Sequence, residues 1–388
     1  MTMMSSRNQS PFASHLPTTA FDTGLSTTPA RLTVAPGFTA HEQIGFELGW
    51  DHAHHRCTPP DAYLEEPSPL RHGLAAGRAA FGARALVATP QVRRWLQLRL
   101  HAWLHGRSVE LFQVTPHYLG QLDTSHCPIT RVEISATGSE ARAHEASASV
   151  DRVRNDAGYA AGNLAVMSLR ANHAKGSHDM REAFTFAGNI ERGPDVVIGG
   201  LDAAQWKRVA VLCSFVETLP HDQALRLPML VLPPNRLRLF NPAQALQALV
   251  SQQLLTAGWS HRIHHIEALL TGKPLRRAFH TFFHTLLARV LEAGRYLDPH
   301  EQRWAVEDAW ANTLVLQRWV AFAQQLSAAQ CEQIVRLAGR GKLSTASVES
   351  FDDTQATDGW NVHNRGYVPH TRASLQDDGR AVQMSLQL

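Results

Sequence analysis

Apolar residues recur every three or four positions along most of the chain, which is the spacing of an amphipathic α-helix. The segment 90–106 shows this spacing most clearly. Its apolar positions are Val92, Trp95, Leu96, Leu100, Trp103 and Leu104. Pro90 stands at the start of the segment and Gly106 at its end, where helices favour these two residues. The pattern predicts one helix here, with the Arg and His side chains mostly on its outer face.

The same spacing predicts about five or six helices between residues 201 and 341, which would make this region an all-α domain. Asp202 and Ser260 are suited to cap two of these helices because a short polar side chain accepts from the first free N–H groups. Asn241 followed by Pro242 predicts the start of another helix. The pattern indicates helices and no chemistry in this region.

Residues 120–180 differ from the rest because they are polar and rich in turn residues, with two short strand-like pieces, SASVDRV and NLAVMS. Residues 36–119 are predicted to form a helical region that packs around them. The polar residues 1–35 and 342–388 are predicted to be disordered tails. The expected fold is therefore mainly α, with one small ββα element and an α-helical C-terminal domain at 201–341.

Composition sets the broad class of protein. Of the 388 residues, 44% are hydrophobic and 18% are charged, which is enough apolar material for a packed core. A net charge of +3 permits a polyanionic partner without requiring one. The four cysteines form no CxxC pair, and no apolar run reaches the length of a membrane span. We therefore expect a cytoplasmic protein without disulfides and without a membrane partner.

The residues that carry chemistry are concentrated in 149–175, SVDRVRNDAGYAAGNLAVMSLRANHAK. Asp151 and Arg152 end the first strand-like piece, Asn163 begins the second, and Asn172 and Lys175 follow on a predicted helix. This order resembles the ββα motif of HNH (His-Me finger) endonucleases. The similarity is to a degenerate phage-type variant with Asp-Arg in place of Asp-His, and it covers residues 126–179.

The resemblance implies a metal-dependent endonuclease of bacterial or phage origin that hydrolyses phosphodiester bonds, with DNA as the expected substrate. It implies that Asp151 and Asn172 hold one Mg²⁺ or Mn²⁺ ion and that Asn163 supports the hairpin loop. Such an ion stabilises charge on the departing oxygen of the phosphate ester. Phosphate contacts are expected from Arg152, Arg170 and Lys175.

Arg152 stands where the family has its catalytic histidine. A guanidinium stays protonated in proteins and cannot accept the proton of an attacking water. Another histidine would have to act as the base, and the sequence candidates are His126, His144, His173 and His178. We expect His126, on the assumption that a hairpin brings the Cys127 segment beside the Asp151 strand.

Many HNH domains also contain a structural zinc ion held by two pairs of cysteines. The matching positions of this chain are Cys127, Thr130, Ser168 and Ala171. One thiolate cannot form a tetrahedral zinc site. We therefore expect no structural zinc and a motif that is held together by packing.

Two other functions stay open. One is a non-catalytic nucleic-acid-binding protein that keeps the degenerate HNH fold as a docking element. The other is a protein-interaction module formed by the helices of 201–341, for which the ββα piece is only a scaffold. The basic helix at 92–107 is a further candidate for contact with nucleic acid.

Two histidine-rich stretches resemble metal sites. Adjacent histidines in the run from Trp50 to Cys57 point in different directions, so the run is interpreted as ordinary surface. His280 and His284 share a helix face but lack the Glu of a HExxH site, and phenylalanines surround them. We interpret this pair as flanking the core.

Overall fold

A computed structural model of the chain describes residues 38–65, 67–134, 145–294, 298–341 and 357–369. The described residues from Thr39 onward belong to one unit. The predicted N-terminal tail at 1–35 lies outside the described residues, as does most of the predicted C-terminal tail. Among the described residues no helix combines the length and the apolar character that a bilayer crossing requires.

In the part of the chain that the structure describes, four helices with defined bounds precede the sheet. They are α1 (Ala40–His54), α2 (Pro69–Phe81), α3 (Pro90–Leu104) and α4 (Pro116–Gln121), and 3₁₀ turns lie at Asp61–Tyr63 and Gly82–Arg84. Three of these helices begin in the same way, with a proline directly after a capping hydroxyl. The hydroxyls of Ser68, Thr89 and Thr115 accept from backbone N–H groups of the first turn. The predicted helix at 90–106 is confirmed as α3.

The arginines of α3 do not all face outward as the sequence predicted. Arg94 is 6% exposed and pairs with Asp123, and Arg99 is buried against Asp51 in α1. A long aliphatic stem lets an arginine cross an apolar layer and place its guanidinium on a carboxylate at the other side. Two of the positive charges on this helix are therefore used to hold it in place.

The sheet has two antiparallel strands, β1 (Ala148–Arg152) and β2 (Leu164–Ser168), with Val150 opposite Val166 and Asp151 opposite Ala165. Side chains alternate between the two faces of a strand. On one face Val150 and Val166 pack against a cluster with Leu98 of α3 and Leu119 of α4. The other face turns toward the main core. Both faces are covered, which explains why nearly every residue of the hairpin is buried.

Helices make up the regular structure after β2 in the part of the chain that is described. They are α5 (Leu169–Lys175), α6 (Met180–Arg192), α7 (Ala203–Ser214), α8 (His221–Leu225), α9 (Pro242–Gln253), α10 (Trp259–Ala268), α11 (Lys273–Glu292), α12 (Pro299–Ala309), α13 (Thr313–Ala323) and α14 (Ala328–Arg340). Asp202 caps α7 and Pro242 starts α9, as predicted. The cap predicted at Ser260 is wrong, because α10 already begins at Trp259 after Gly258.

One hydrophobic core joins the hairpin to the C-terminal helices. It extends from Cys127 and Met167 to the aromatic rings of α11, α12 and α13, among them Phe282, Trp310 and Trp319. The regions predicted as 120–180 and 201–341 therefore do not have separate cores.

Residues 357–369 were predicted to belong to a disordered tail, and this prediction is wrong. Trp360 is fully buried, and its indole N–H donates to the Ala161 carbonyl oxygen at 3.0 Å. A 3₁₀ turn at Val362–Asn364 follows. The segment is polar in composition, but the side chain of Trp360 packs into the core and anchors the segment to the hairpin loop.

The histidine-rich run from Trp50 to Cys57 was interpreted as surface, yet His52 is only 5% exposed. Neither nitrogen of its ring has a hydrogen-bond partner among the described residues. Burial lowers the pKa of His52 to about 4, and the charge of Arg99 lowers it as well. This imidazole is therefore neutral at pH 7, and protonation is opposed by the fold.

We predict that the free energy of unfolding falls by about 2 kcal/mol between pH 7.5 and pH 5 through His52 alone. The unfolded chain takes up this proton near pH 6.5, whereas the folded chain resists it until the pH approaches 4. The variant His52→Leu should lose this part of the pH dependence in urea unfolding. His117→Leu, at an exposed position of α4, is the control. Equal pH dependence in His52→Leu and wild type would contradict the role of His52.

Candidate functional site

Two pairs of polar side chains join β1 to α5. The Asn172 amide donates to Ser149 Oγ at 2.6 Å, and the Lys175 ammonium lies 3.0 Å from Asp151 Oδ2 and 3.2 Å from Oδ1. Residues two apart on a strand share a face, as do residues three apart on a helix. The spacing of the sequence therefore brings the four side chains together. We call Ser149, Asp151, Asn172 and Lys175 the polar ladder.

The ion pair of the polar ladder is buried, since Asp151 is 3% exposed and Lys175 is fully buried. Lys175 Nζ also donates to the Arg152 carbonyl oxygen at 3.0 Å and to Asn155 Oδ1 at 3.3 Å. An ammonium group has three N–H donors, and all three find acceptors here. The charge is thus both paired and fully hydrogen-bonded, as a buried charge must be.

These residues do not fit the Mg²⁺ or Mn²⁺ ion that the resemblance implies. Such an ion requires several oxygens about 2.0–2.6 Å from one point, but the Lys175 ammonium already donates to Asp151 Oδ1 and lies 3.0 Å from Oδ2, although Oδ2 accepts no hydrogen bond from the described residues. The Asn172 amide is bound to Ser149, although its buried Oδ1 has no hydrogen-bond partner among the described residues. No group of three or more His, Cys, Asp or Glu in the described ranges is arranged to hold a metal.

Asn163 braces the hairpin loop between β1 and β2. Its Oδ1 accepts from the Arg154 N–H at 2.8 Å, and its Nδ2 donates to the carbonyl oxygens of Arg154 and Gly158 at 3.1 Å each. The side chain is fully buried. Asn163 thus makes the contacts expected of a residue that supports the loop.

Arg152 lies on the opposite face of β1 from the polar ladder. Its guanidinium donates to the carbonyl oxygens of Asn155 and Ala157 at 3.2 and 3.0 Å, and it lies 5.2 Å from the centre of the Tyr159 ring. Among the described residues no carboxylate forms an ion pair with it. The loop that Asn163 braces therefore holds this charge in a fixed position.

Helix α3 brings further basic side chains to Arg152. His101 packs edge-on against Tyr159, with ring centres 6.4 Å apart, and stacks near His105. The pKa of His101 is lowered to about 3. Burial is the largest cause, and the charges of neighbouring basic residues, Arg107 among them, add to it. We call Arg152, Tyr159, His101, His105 and Arg107 the basic cluster. The sequence offered a signal for it in the pair His101 and His105, which are one helical turn apart.

The structure separates the expected base, His126, from Asp151. The strand that pairs with β1 is β2 and not the Cys127 segment, so the reason for choosing His126 is wrong. The His126 ring instead lies 4.0 Å from that of His300 and 5.4 Å from that of Trp304, on α12.

Neither His173 nor His178 contacts Asp151 through a hydrogen bond or an ion pair among the described residues. His173 is exposed, and His178 lies 3.3 Å from Glu182. His144 lies outside the described residues.

The four positions that match the zinc-binding cysteines of HNH domains lie together. Ser168 Oγ donates to Cys127 Sγ at 3.3 Å, and the Thr130 N–H donates to the same sulfur at 3.4 Å. The Ala171 N–H donates to Ser168 Oγ at 3.3 Å. One thiol, two hydroxyls and one methyl group occupy these positions, and hydrogen bonds join them.

Two of the three expected phosphate ligands have structural roles. Lys175 is fully buried, so in this arrangement its ammonium cannot reach a phosphate outside the protein. Arg170 is exposed, but its Nε donates to the Gly200 carbonyl oxygen at 3.0 Å. Of the three, only Arg152 lies in a basic cluster.

Comparison with known proteins identifies no relative. No family model matches the chain, and neither a curated protein nor a solved structure matches it. The functional proposal therefore rests on the geometry of the side chains.

We predict that Lys175→Met and Asp151→Asn each destabilise the protein by about 3–5 kcal/mol, because either change leaves a buried group without its partner. The double variant should cost clearly less than the sum of the two. Urea unfolding followed by tryptophan fluorescence measures this coupling. Lys207→Met is the matched control, since Lys207 pairs with Glu191 at the surface, and we expect about 0–1 kcal/mol there. Additive costs at Asp151 and Lys175 would contradict a coupled pair.

Proposed function

We propose that this protein binds nucleic acid, and that it keeps a degenerate HNH-type hairpin and helix as a structural element without hydrolysing phosphodiester bonds at Asp151. The observation that carries the proposal is the buried contact between the Lys175 ammonium and the Asp151 carboxylate, at 3.0 Å. A lysine stands where the metal-dependent reaction would need a divalent cation.

Three features support the HNH-type origin of the hairpin and helix. The order β1, β2, α5 is that of a ββα element, and Asn163 makes the loop contacts expected of the central asparagine. The positions of the lost zinc site, Cys127 and Ser168 among them, are still in contact. These features concern the fold and are independent of catalysis.

The chemistry of hydrolysis lacks two of its parts in this arrangement. The ammonium of Lys175 neutralises the carboxylate that would bind the metal. Arg152 replaces the base, and an imidazole beside it, that of His101, has a pKa of about 3. An imidazole with so low a pKa is a weak base at pH 7 and accepts a proton from water poorly.

Binding of phosphate is better supported than cleavage. A guanidinium that is already held in a fixed orientation can bind two phosphate oxygens at once, and Arg152 is held by two loop carbonyls. The guanidiniums of Arg152 and Arg107 both oppose protonation of His101, so positive potential accumulates in the basic cluster. An anion there would relieve this repulsion. DNA is the nucleic acid we propose.

The metal-dependent endonuclease remains the competing proposal. One observation favours it, namely that Asp151 Oδ2 and Asn172 Oδ1 are both buried without a hydrogen-bond partner among the described residues, because such oxygens are ligands for Mg²⁺ or Mn²⁺. It would require the Lys175 ammonium to leave Asp151 when the metal binds.

We predict that supercoiled plasmid stays intact when it is incubated with the protein and Mn²⁺, as it does with EDTA. A DNA duplex should nevertheless bind, with an affinity that falls steeply as the salt concentration rises. Arg152→Gln should weaken binding and lower the slope of log affinity against log salt by about one. Arg336→Gln, at an exposed position of α14, is the control with the same change of charge.

Two results would reject the proposal. Nicking that needs Mn²⁺ and disappears in Asp151→Asn, in a variant that still unfolds cooperatively, would establish the endonuclease instead. Absence of DNA binding at low salt would reject a nucleic-acid partner altogether.

A further inference from the structure

Helices α11 and α13 border a groove on the C-terminal part of the molecule. Helix α11 packs its apolar side chains, such as Phe279 and Phe282, into the core and turns its polar side outward. Two adjoining cavities of about 510 and 470 Å³ lie along this side, and both are lined by Thr281 and Arg318. The groove is thus continuous past Arg318, beside a helix about 30 Å long by its 20 residues.

The groove carries an excess of positive charge. Lys273, Arg277 and Arg318 line the first cavity, and none of them forms an ion pair within the described residues. The single carboxylate that lines either cavity in the part of the chain described is Glu292, which pairs with Arg289 at 2.9 Å. Three charges therefore stay uncompensated at pH 7, with two histidines beside them.

Folding does not explain these charges. Lys273 and Arg277 are one helical turn apart, and like charges at this spacing destabilise a helix. Lys273 also lies in the first turn of α11, where the helix dipole disfavours positive charge. The groove holds positive charge where the helix itself would be more stable without it.

The lining of the groove restricts the partner. The walls between the cations include small or polar residues, among them Ala278, Thr281 and Ala321, and no Phe, Tyr or Trp lines either cavity in the part of the chain that the structure describes. Stacking of unpaired bases is therefore not expected, and contact with backbone phosphates is.

We propose that the groove of Lys273, Arg277 and Arg318 binds the phosphate backbone of a nucleic acid without reading its base sequence. The site is separate from the basic cluster and does not depend on how the hairpin functions. The proposal gives a role to the helical region 201–341, for which the sequence predicted helices but no functional residues. Phosphate contacts of this kind give affinity and orientation, and base contacts elsewhere would have to supply specificity.

The test uses the full chain with Arg277→Gln and Arg318→Gln combined, and two labelled DNA duplexes of unrelated sequence. Fluorescence anisotropy at several salt concentrations should show binding of both duplexes weakened roughly tenfold at low salt, with the salt slope reduced by about two. Arg192→Gln combined with Arg336→Gln removes the same charge from exposed positions on α6 and α14. This control should keep most of the affinity and slope.

Lys273→Gln combined with Arg277→Gln provides a second variant, because both side chains are exposed and their loss cannot disturb the core. Wild-type affinity and salt slope in both groove variants would overturn the proposal. So would a loss confined to one DNA sequence, or tighter binding of anionic phospholipid vesicles or poly-glutamate than of DNA. If Arg152→Gln weakens binding while the groove variants do not, only the groove proposal fails; the reverse result removes only the proposed role of the basic cluster.

Discussion

The contact between the Lys175 ammonium and the Asp151 carboxylate is the buried ion pair on which the chemistry of the hairpin depends. It ties α5 to β1 in the interior, and the same ammonium reaches the Arg152 carbonyl and the Asn155 side chain at the start of the loop. Removing two charges from water costs several kcal/mol per ion, and only good geometry with complete hydrogen bonding offsets this cost. The Lys175 ammonium meets this condition with three acceptors, whereas Asp151 Oδ2 and Asn172 Oδ1 accept no hydrogen bond from the described residues.

This interaction divides the hairpin into two sides with different chemistry. On the inner side the carboxylate that could bind a metal is neutralised by a lysine. On the outer side Arg152 is held by loop carbonyls beside Tyr159 and the basic residues of α3. The inner side therefore supplies rigidity, and the outer side supplies charge. Positive charge on the outer side without a free carboxylate on the inner side is the basis of the proposed function.

Much of the fold could be predicted from the sequence, because local patterns determine it. The spacing of apolar residues and the capping signals predicted α3, α7 and α9 correctly, and the HNH resemblance implied the role of Asn163 in the loop. The polar ladder follows from the same spacing, since Asp151 and Lys175 lie on facing sides of a strand and a helix. The spacing of residues does not show whether the Lys175 ammonium is buried against Asp151 or exposed, where it could bind a phosphate.

The predictions from the sequence were wrong where contacts between distant segments determine whether a residue is buried. Arg94 was predicted to lie on the outer face of its helix, yet it is buried and pairs with Asp123 from a distant segment. A single tryptophan, Trp360, anchors a segment whose polar composition predicted a tail. The choice of His126 failed because strand pairing was assigned to the wrong neighbour along the chain. None of these contacts has a local signal in the sequence.

The central claim is that a lysine ammonium replaces a metal ion at Asp151. The most direct measurement is X-ray diffraction from crystals soaked in Mn²⁺, with anomalous difference maps that locate the ion. We expect no anomalous peak near Asp151 and an intact contact between Asp151 and Lys175. A peak about 2.0–2.6 Å from the oxygens of both Asp151 and Asn172, with the Lys175 ammonium displaced, would contradict the claim.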